Sequence, residues 1–212
     1  MILDSSEFLL IVLSSPSGAG KTTLTNRLKE HFQDLQFSIS HTTRPPRTTE
    51  IRGRDYHFVN RSEFEKLAEQ NTFIEWAEVY GNLYGTSRDE IDRAQKIPGC
   101  RGLIFDIDYQ GARRIKAQLS DVLGIFILPP SFQELEYRLK KRASETEELI
   151  QKRFAKAKLE IEHYALFDFI LINHELERAF SDLCTIVQAE RMRRFRQAQL
   201  AEALLHKGKI FP

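Results

Sequence analysis

A run of small residues near the amino terminus has the composition of a phosphate-binding loop. Residues 14–23 read SSPSGAGKTT and lie between an apolar run and a segment with Leu24, Leu28 and Phe32 at helical spacing. A strand, a small-residue loop and a helix in that order are the context that such a loop requires. Glycines let consecutive backbone N–H groups point at one anion, and the positive end of the helix dipole adds to the field. The run therefore predicts a binding site for nucleotide phosphates.

Two side chains of this run can act on a bound triphosphate. Lys21 supplies a full charge for the β- and γ-phosphates, and the Thr22 hydroxyl is placed to hold Mg²⁺. The strict pattern G-x-x-x-x-G-K-[ST] would have glycine where this chain has Ser15, and the alternative is a Gly-Ser turn with a solvated lysine. The predicted phosphate-loop contacts are Ser15, Pro16, Ser17, Gly18, Ala19, Gly20, Lys21, Thr22 and Thr23.

An aspartate at the end of a second apolar run extends the predicted metal site. Residues 103–108 read LIFDID, which places Asp106 at the end of a buried strand, where open α/β sheets bind ligands. A carboxylate there can hold Mg²⁺ directly or through water, in the manner of a Walker B aspartate. The alternative is an aspartate that caps the following helix. We interpret Thr22 and Asp106 together as the predicted magnesium site.

An arginine-rich turn indicates a second phosphate site. Residues 40–47 read SHTTRPPR, and prolines stiffen the turn that carries Arg44 and Arg47. Guanidinium donors match phosphate oxygens in bidentate geometry, so with Tyr56 these arginines can form a cradle for another phosphate group. The alternative is a basic surface loop.

A carboxylate with apolar neighbours lies further along. Residues 73–77 read FIEWA, and Glu75 is unusual there unless some group pairs with it. The segment 81–86, GNLYGT, adds the hydroxyl groups of Tyr84 and Thr86. These residue types favour recognition of a polar ligand over ordinary packing.

The elements that must position these residues follow from the apolar pattern. Apolar runs at 8–13, 102–105, 124–128 and 169–172 favour buried parallel strands that helices cover on each side. Three serine–glutamate pairs match the capping-box spacing at a helix start: Ser62 with Glu65, Ser131 with Glu134, and Ser144 with Glu147. From about 175 to 205 the pattern predicts a long helix that is continuous or broken once.

Two segments depart from this pattern and are interpreted as insertions. Residues 37–90 alternate short β-like pieces with turns rich in Arg, Pro and Gly, and they hold one amphipathic helix. Residues 138–153 form a polar insertion rich in Arg and Glu. Their order around the phosphate loop is typical of an acceptor arm and a lid.

Charge and composition exclude several classes of protein. The 212 residues hold 31 Lys and Arg against 30 Asp and Glu, a net charge of +1, so nucleic acid is not an expected partner. No apolar stretch reaches about 18 residues, and the start lacks a basic leader, which predicts a soluble cytoplasmic protein without a membrane partner. Cys100 and Cys184 show no metal-ligand spacing. Whether the chain forms a homo-oligomer stays open.

A basic cluster is present at Arg191, Arg193, Arg194 and Arg196. It predicts a solvated face or, as the alternative, an interface.

Taken together, the chain resembles the guanylate kinases. The matching pieces are SPSGAGKTT, SISHTTRPPR, GRDYHFV, FIEWAEVYGNLYGTS, FDIDYQGA, ILPPS, SETEELIQKR and ILIN, and they span nearly the whole length. The resemblance implies an α/β fold of the P-loop NTPase type, with three layers, a central parallel sheet, a GMP-binding insert and a helical lid. It assigns residues 1–36, 91–137 and 154–212 to the core, 37–90 to the insert and 138–153 to the lid.

The resemblance also implies how GMP is bound. It gives Arg44, Arg47, Tyr56 and Tyr84 as contacts to the GMP phosphate, and Ser40, Glu75, Thr86 and Asp108 as the group that reads guanine. Glu75 can accept the adjacent N1–H and N2–H donors of guanine, and Ser40 or Thr86 can donate toward O6. Adenine would leave those buried groups unpaired, which can discriminate by about 10⁴-fold or more.

The lid and the adenine side follow from the same resemblance. Arg138, Arg142 and Arg153 correspond to arginines that approach the ATP phosphates on closure, and with Lys21 and Arg44 they are the predicted catalytic residues. The alternative for the first two is an exposed helix face paired with acids such as Glu134. The family typically has Arg-Gly where this chain has Arg142-Ala143, which can stiffen the lid hinge. Asn173 fits the family's adenine-side loop, but His174 stands where Asp is common.

The predicted activity is transfer of the γ-phosphoryl group of ATP to GMP, giving ADP and GDP in purine nucleotide metabolism, with Mg²⁺ as cofactor. Two alternatives stay open: a catalytically silent module of the same fold that binds a protein through the GMP groove, and a related kinase with another acceptor, such as AMP, UMP or a phosphorylated sugar. A GTP-hydrolysing switch is disfavoured, because no N-K-x-D motif follows the loop.

Overall fold

A computed structural model describes residues 8–79, 81–141 and 147–210. Its strands are β1 Leu9–Ser14, β2 Leu35–Phe37, β3 His41–Thr42, β4 His57–Phe58, β5 Phe73–Val79, β6 Asn82–Ser87, β7 Gly102–Asp106, β8 Val122–Leu128 and β9 Phe169–Ile172. Its α-helices are α1 Lys21–His31, α2 Arg61–Glu69, α3 Asp89–Gln95, α4 Tyr109–Gln118, α5 Phe132–Lys141, α6 Glu147–Ile161, α7 Leu176–Arg191 and α8 Arg194–Lys207. One 3-10 turn spans Tyr164–Leu166.

A five-stranded parallel sheet, in the order β2-β7-β1-β8-β9, forms the centre of the fold. Side chains of β1 alternate between two apolar clusters: Ile11 and Leu13 pack toward α1 and α7, and Val12 packs toward α4. Because strands apolar on both faces need a cover on each side, the helices form two outer layers. The predicted three-layer α/β fold is confirmed.

The strand at the edge of this sheet is not buried as the apolar run had predicted. Phe169, Ile170 and Ile172 are 40%, 48% and 49% exposed, and Leu171 alone packs into the core. The strand β9 pairs with β8 on one side only, so most of its apolar surface stays in contact with solvent.

A second, four-stranded sheet in the order β4-β3-β6-β5 lies within the predicted insert. The helix α2 covers it through Phe64, which packs with Phe73 and Leu83 in a small apolar cluster. The side chain of Glu90, at the start of α3, accepts the Ile39 N–H at 2.6 Å and pairs with Arg93, whose guanidinium donates to the Phe37 carbonyl at 3.2 Å. The chain segments that enter and leave the insert are therefore tied together.

Of the three predicted helix starts, one is confirmed, one is wrong and one lies partly outside the described residues. The Ser131 hydroxyl accepts the Glu134 N–H at 3.0 Å and caps α5, as predicted. The prediction for Ser62 is wrong, because α2 begins at Arg61 and Asn60 caps it by accepting the Glu63 N–H at 2.8 Å. The pair Ser144 and Glu147 depends on a residue outside the described ranges.

The carboxyl-terminal helices confirm a long helical segment broken once, between α7 and α8. The interpretation of the basic cluster as a solvated face is wrong for Arg196, which is only 7% exposed. Its guanidinium pairs with buried Glu190 at 3.1 Å and donates to the Asp121 carbonyl at 3.3 Å. Within the described ranges, no helix is both long and apolar enough to cross a membrane.

Candidate active site

The phosphate loop runs from the end of β1 to the start of α1. Gly18 and Gly20 both have φ of +93°, a left-handed conformation that other residues seldom adopt. A Cβ on Gly18 would also meet the Leu135 side chain at 2.9 Å, and one on Gly20 would overlap the Asn173 amide. Buried Ala19 and Leu24 fix the loop and the first turn of α1 to the core. The loop is therefore held in one shape at the positive end of α1.

The loop is also held from outside. The Asn173 amide, buried just after β9, donates to the Ala19 carbonyl at 2.8 Å. Arg138 of α5 donates to the same carbonyl at 3.4 Å and to the Asn173 carbonyl at 3.0 Å. Asn173, expected beside adenine, is thus in direct contact with the phosphate loop.

Lys21 and Asp106 form an ion pair at the carboxyl ends of β1 and β7. The Lys21 and Asp106 side chains are 21% and 34% exposed, and Thr22 beside them is exposed. The helix-capping alternative for Asp106 is wrong, because Asp108 caps α4: its Oδ1 accepts the N–H groups of Gln110 and Gly111, each at 3.0 Å. Asp106 therefore does not cap α4 and pairs instead with Lys21, the first residue of α1.

The buried carboxylate of the insert has hydroxyl partners. Glu75 is 5% exposed, and the Thr86 hydroxyl donates to its Oε1 at 2.7 Å. The Ser40 hydroxyl lies 3.1 Å from that of Thr86. A register irregularity between Phe73 and Glu75 bends β5, so that Phe73, Ile74 and Glu75 are all buried although a regular strand would alternate.

The charge state of Glu75 follows from this burial. The pKa of the Glu75 carboxyl is raised to about 7, chiefly because burial removes water from around it and also because Asp108 is negatively charged, while the Thr86 hydrogen bond opposes the rise. A Cβ on Gly111 would meet Glu75 Oε2 at 2.7 Å, so the glycine leaves room for the carboxylate. The Oε2 oxygen of Glu75 therefore lies beside Gly111, and the carboxyl group can change its charge near neutral pH.

The predicted arginine cradle contains an acidic residue that the sequence reasoning missed. The Arg44 guanidinium contacts both Glu50 oxygens, at 2.8 and 3.0 Å, and Glu50 also accepts the Arg47 N–H at 2.7 Å. The Arg44 guanidinium lies 5.4 Å from the Tyr56 ring centre, and burial raises the pKa of Tyr56 to about 12. A carboxylate six residues after Arg44 in a proline-rich turn was the available signal.

One cleft brings the two groups of residues together. Among the described residues, its walls comprise Lys21, Thr22, Ser40, Tyr56, Glu75, Ala77, Val79, Tyr84, Asp106, Ile107 and Asp108. Thr86 lies fully buried behind Glu75. Arg44 and Arg47 are not part of this lining, and the Arg47 side chain is exposed.

The predicted lid arginines lie on two helices. Arg138 on α5 donates to Glu134 at 2.7 Å, the pairing expected of an exposed face, yet its guanidinium also reaches the phosphate loop. Arg153 lies half-buried on α6. Arg142 and Ala143 lie outside the described residues. The boundaries 138 and 153 thus fall inside α5 and α6.

The oxygen donors near the loop fit a hard cation. Thr22 offers a hydroxyl and Asp106 a carboxylate on the same wall of the cleft, and Mg²⁺ prefers such ligands together with substrate phosphates and water. Over the residues that the structure describes, no group of three or more His, Cys, Asp and Glu could hold a metal. The site therefore fits a cation that arrives with a nucleotide.

Known proteins match nearly the whole chain. The family model described as guanylate kinase matches residues 8–190. A guanylate kinase of Rhizobium meliloti strain 1021 is 48% identical over 195 residues, which cover 92% of this chain and 88% of that protein. One from Escherichia coli strain K12 is 44% identical over 200 residues, covering 93% and 96%. The crystal structure of guanylate kinase from Anaplasma phagocytophilum matches with a TM-score of 0.75 and 33% identity, covering 98% of each chain.

Proposed function

The chain belongs to the guanylate kinase family, and we propose from that premise that it transfers the γ-phosphoryl group of ATP to GMP, giving ADP and GDP. The observation that carries this proposal is the composition of the cleft. Lys21, Thr22 and Asp106 form a triphosphate side, and Ser40 and Glu75 form a second polar side. A cleft with two chemically distinct sides suits a reaction between two nucleotides.

The second polar side suits guanine. Guanine presents N1–H and N2–H₂ as adjacent donors, which the Glu75 carboxylate accepts together when it is ionised. The Ser40 hydroxyl can donate toward O6, while the Thr86 hydroxyl, 3.1 Å from it, donates to Glu75. Adenine has an acceptor at N1 and would leave the buried carboxylate unpaired, which costs far more than a lost packing contact. Asp108 shapes this side mainly by capping α4 and by its charge near Glu75.

The phosphate of GMP is held by the tyrosine and arginine group. Tyr56 and Tyr84 line the cleft, and their rings lie 6.1 Å apart. Arg44 lies over Tyr56 and is oriented by Glu50, so its guanidinium needs a small shift to meet a phosphate. We assign Arg47 to the same phosphate, reached by its exposed side chain.

The chain needs no general base for this reaction. The nucleophile is a GMP phosphate oxygen that is already ionised near neutral pH, so the protein aligns it with the γ-phosphoryl group and neutralises charge. Lys21 supplies charge from the loop once it parts from Asp106. Arg138 and Arg153 approach the transferred group from α5 and α6, and Arg142 is assigned there by family resemblance alone. Closure of these helices excludes water, which would otherwise hydrolyse ATP.

Thr22 and Asp106 would hold Mg²⁺, which when bound neutralises charge on the β- and γ-phosphates. The residues Ser15 to Thr23 form the loop around the triphosphate, which the backbone N–H groups at the glycines and at the start of α1 contact, and Asn173 supports the loop at Ala19. We further propose that the enzyme acts in the cytoplasm in purine nucleotide metabolism. The free, buried thiols of Cys100 and Cys184 suit a reducing compartment.

The test is a coupled assay of ADP release with GMP, dGMP, AMP, UMP and CMP as acceptors, each at equal concentration with ATP and Mg²⁺. We expect GMP to exceed AMP, UMP and CMP by several orders of magnitude in kcat/KM. Comparable use of AMP or UMP would refute the guanine assignment. No ADP release with any acceptor would instead favour a binding module without catalysis.

A further inference from the structure

We propose that Glu160, on the helix that follows the lid, is a positioning residue that fixes the phosphate loop before ATP binds. Its Oε2 accepts the backbone N–H of Ser17, in the middle of the loop, at 3.3 Å. The residue is 6% exposed, and 143 positions separate the two partners along the chain. The inference rests on the proposed ATP site and assigns a role to a residue outside it.

A buried carboxylate beside an anion site requires a physical reason. Desolvation disfavours its charge, and a bound triphosphate would repel it. Burial raises the pKa of Glu160, and Lys156, whose ammonium lies 3.7 Å from Oε1, and the Ser17 N–H oppose that rise. A charge that only repelled the triphosphate would oppose ATP binding. The property of Glu160 that supports the site is therefore its strong hydrogen-bond acceptor oxygen.

This acceptor decides which loop amides face the nucleotide. The Ser17 N–H points away from the cleft toward α6, so the amides that remain for phosphate are those further along, at the glycines and the start of α1. At Ala19 the loop is instead the acceptor, because the Asn173 side-chain amide donates to the Ala19 carbonyl. Two backbone groups of the loop, the Ser17 N–H and the Ala19 carbonyl, are thus fixed by the buried side chains of Glu160 and Asn173. Fixing the peptide planes in advance removes part of the ordering cost of ATP binding.

The contact also joins the lid to the loop. Glu160 and Arg153 are both on α6, seven residues or about two turns apart, so they lie on one face of the helix. The helix that carries a proposed ATP-contacting arginine is therefore anchored on the loop that binds the same phosphates. This placement explains why the carboxylate comes from α6.

Two substitutions distinguish the position of the Glu160 acceptor oxygen from the charge of its carboxylate. Glu160→Gln keeps an acceptor oxygen at the same reach and removes the charge. Glu160→Asp keeps the charge but withdraws the oxygen by about one C–C bond, roughly 1.5 Å, beyond reach of the Ser17 N–H. Glu162→Asp, two residues along and exposed, is the matched control.

The experiment measures dissociation constants for ATP alone and for GMP alone by calorimetry, with thermal unfolding of each variant and the KM for ATP. We expect Glu160→Asp to weaken ATP binding about tenfold, as loss of the hydrogen bond to the Ser17 N–H implies. Glu160→Gln should stay within about threefold of wild type, and GMP binding should not change in either variant. Equal weakening of ATP and GMP, a Gln variant as weak as the Asp variant, or wild-type ATP binding by the Asp variant would each overturn the proposal.

A second measurement does not depend on the variants. The Ser17 amide of the nucleotide-free wild-type protein should exchange hydrogen slowly, because it is bonded to a buried carboxylate, and fast exchange would contradict the proposal. A wild-type protein that bound no ATP would overturn the proposed function. Wild-type ATP binding with an unaffected Asp variant would overturn the role of Glu160 alone.

Discussion

The ATP side of the cleft is centred on one contiguous segment, the phosphate loop, which lies on a large core, whereas the GMP side is assembled from separate segments on a small sheet. The phosphate loop packs on a five-stranded sheet with Ala19 and Leu24 fully buried. The insert holds together through the pairing of β5 with β6, the two-residue strands β3 and β4 and one small cluster around Phe64. A larger apolar core stabilises the first side more than the second.

The two sides also differ in charge. The core side presents the Lys21–Asp106 pair, in which each group has an ionic partner. The insert side presents Glu75, buried with hydroxyl partners and a raised pKa. The ATP side is therefore prepared for a large negative charge, while the GMP side is prepared for a particular pattern of donors. Damage to the first should abolish turnover, and damage to the second should alter the choice of acceptor.

The largest effect is expected at Lys21. Lys21→Met removes the charge that neutralises the β- and γ-phosphates, and kcat should fall by about 10²–10³-fold, the range for loss of one preorganised group on a developing charge. The melting temperature should change little, because a partly exposed ion pair contributes about 0–1 kcal/mol. Steady-state kinetics and thermal unfolding measure both. Lys29→Met, on the exposed side of the same helix, is the control, and near wild-type activity of Lys21→Met would falsify the phosphate-loop assignment.

The next largest effect is expected at Glu75. Glu75→Gln replaces one acceptor of the guanine donors by a donor that faces them, so kcat/KM for GMP should fall by about 10²-fold or more. The KM for ATP should stay within about threefold, because Glu75 lies on the other side of the cleft. Equal losses with both nucleotides, measured by varying each at saturation of the other, would contradict the separation of the two sides. Glu78→Gln, exposed on the same strand, is the matched control.

The same contrast explains what could be predicted from the sequence. The loop, Asp106 and the central strands were recognisable because neighbouring residues in sequence remain neighbours in the fold. The roles of Ser40, Glu75 and Thr86 came from family resemblance, since tertiary pairing of β5 and β6 and the irregularity after Phe73 bring them together.

Other features had a weak local signal or none. Glu50 lies six residues after its partner Arg44, and that spacing was the available signal. Glu160 lies 143 residues from its partner Ser17, and nothing local in the sequence indicates this contact. The burial of Arg196 depends on Glu190 and on carbonyls at the amino-terminal edge of the sheet. The exposure of β9 was missed because an apolar run does not reveal that a strand has only one neighbour.

A pH profile tests the charge of the GMP side without any substitution. Guanine recognition needs ionised Glu75, whose pKa in the free protein is about 7. As pH falls through 7 the group takes up a proton, so kcat/KM for GMP should fall, approaching tenfold per pH unit well below 7. The KM for ATP should not follow this profile. The second ionisation of the GMP phosphate acts in the same direction near pH 6, and Glu75→Gln should retain that lower transition alone. A wild-type profile that is flat from pH 8 to 6.5 would contradict the role of Glu75.

The smallest effect is expected at Glu50. A substitution there tests whether Glu50 orients Arg44 for the GMP phosphate or competes with that phosphate for Arg44. Glu50 holds Arg44 at 2.8 Å and accepts the Arg47 N–H at 2.7 Å, so it fixes both residues in the turn before any phosphate arrives. Glu50→Gln can still accept the N–H but binds the guanidinium less strongly, because the charge is lost. If Glu50 orients Arg44, the KM for GMP should rise about two- to fivefold with kcat and the KM for ATP unchanged. Glu65→Gln, an exposed partner of Arg61 at 3.1 Å, should leave all constants unchanged. A fall in the KM for GMP would mean that Glu50 competes with the GMP phosphate for Arg44. Glu50 would then hinder phosphate binding and would not preorganise the cradle for it.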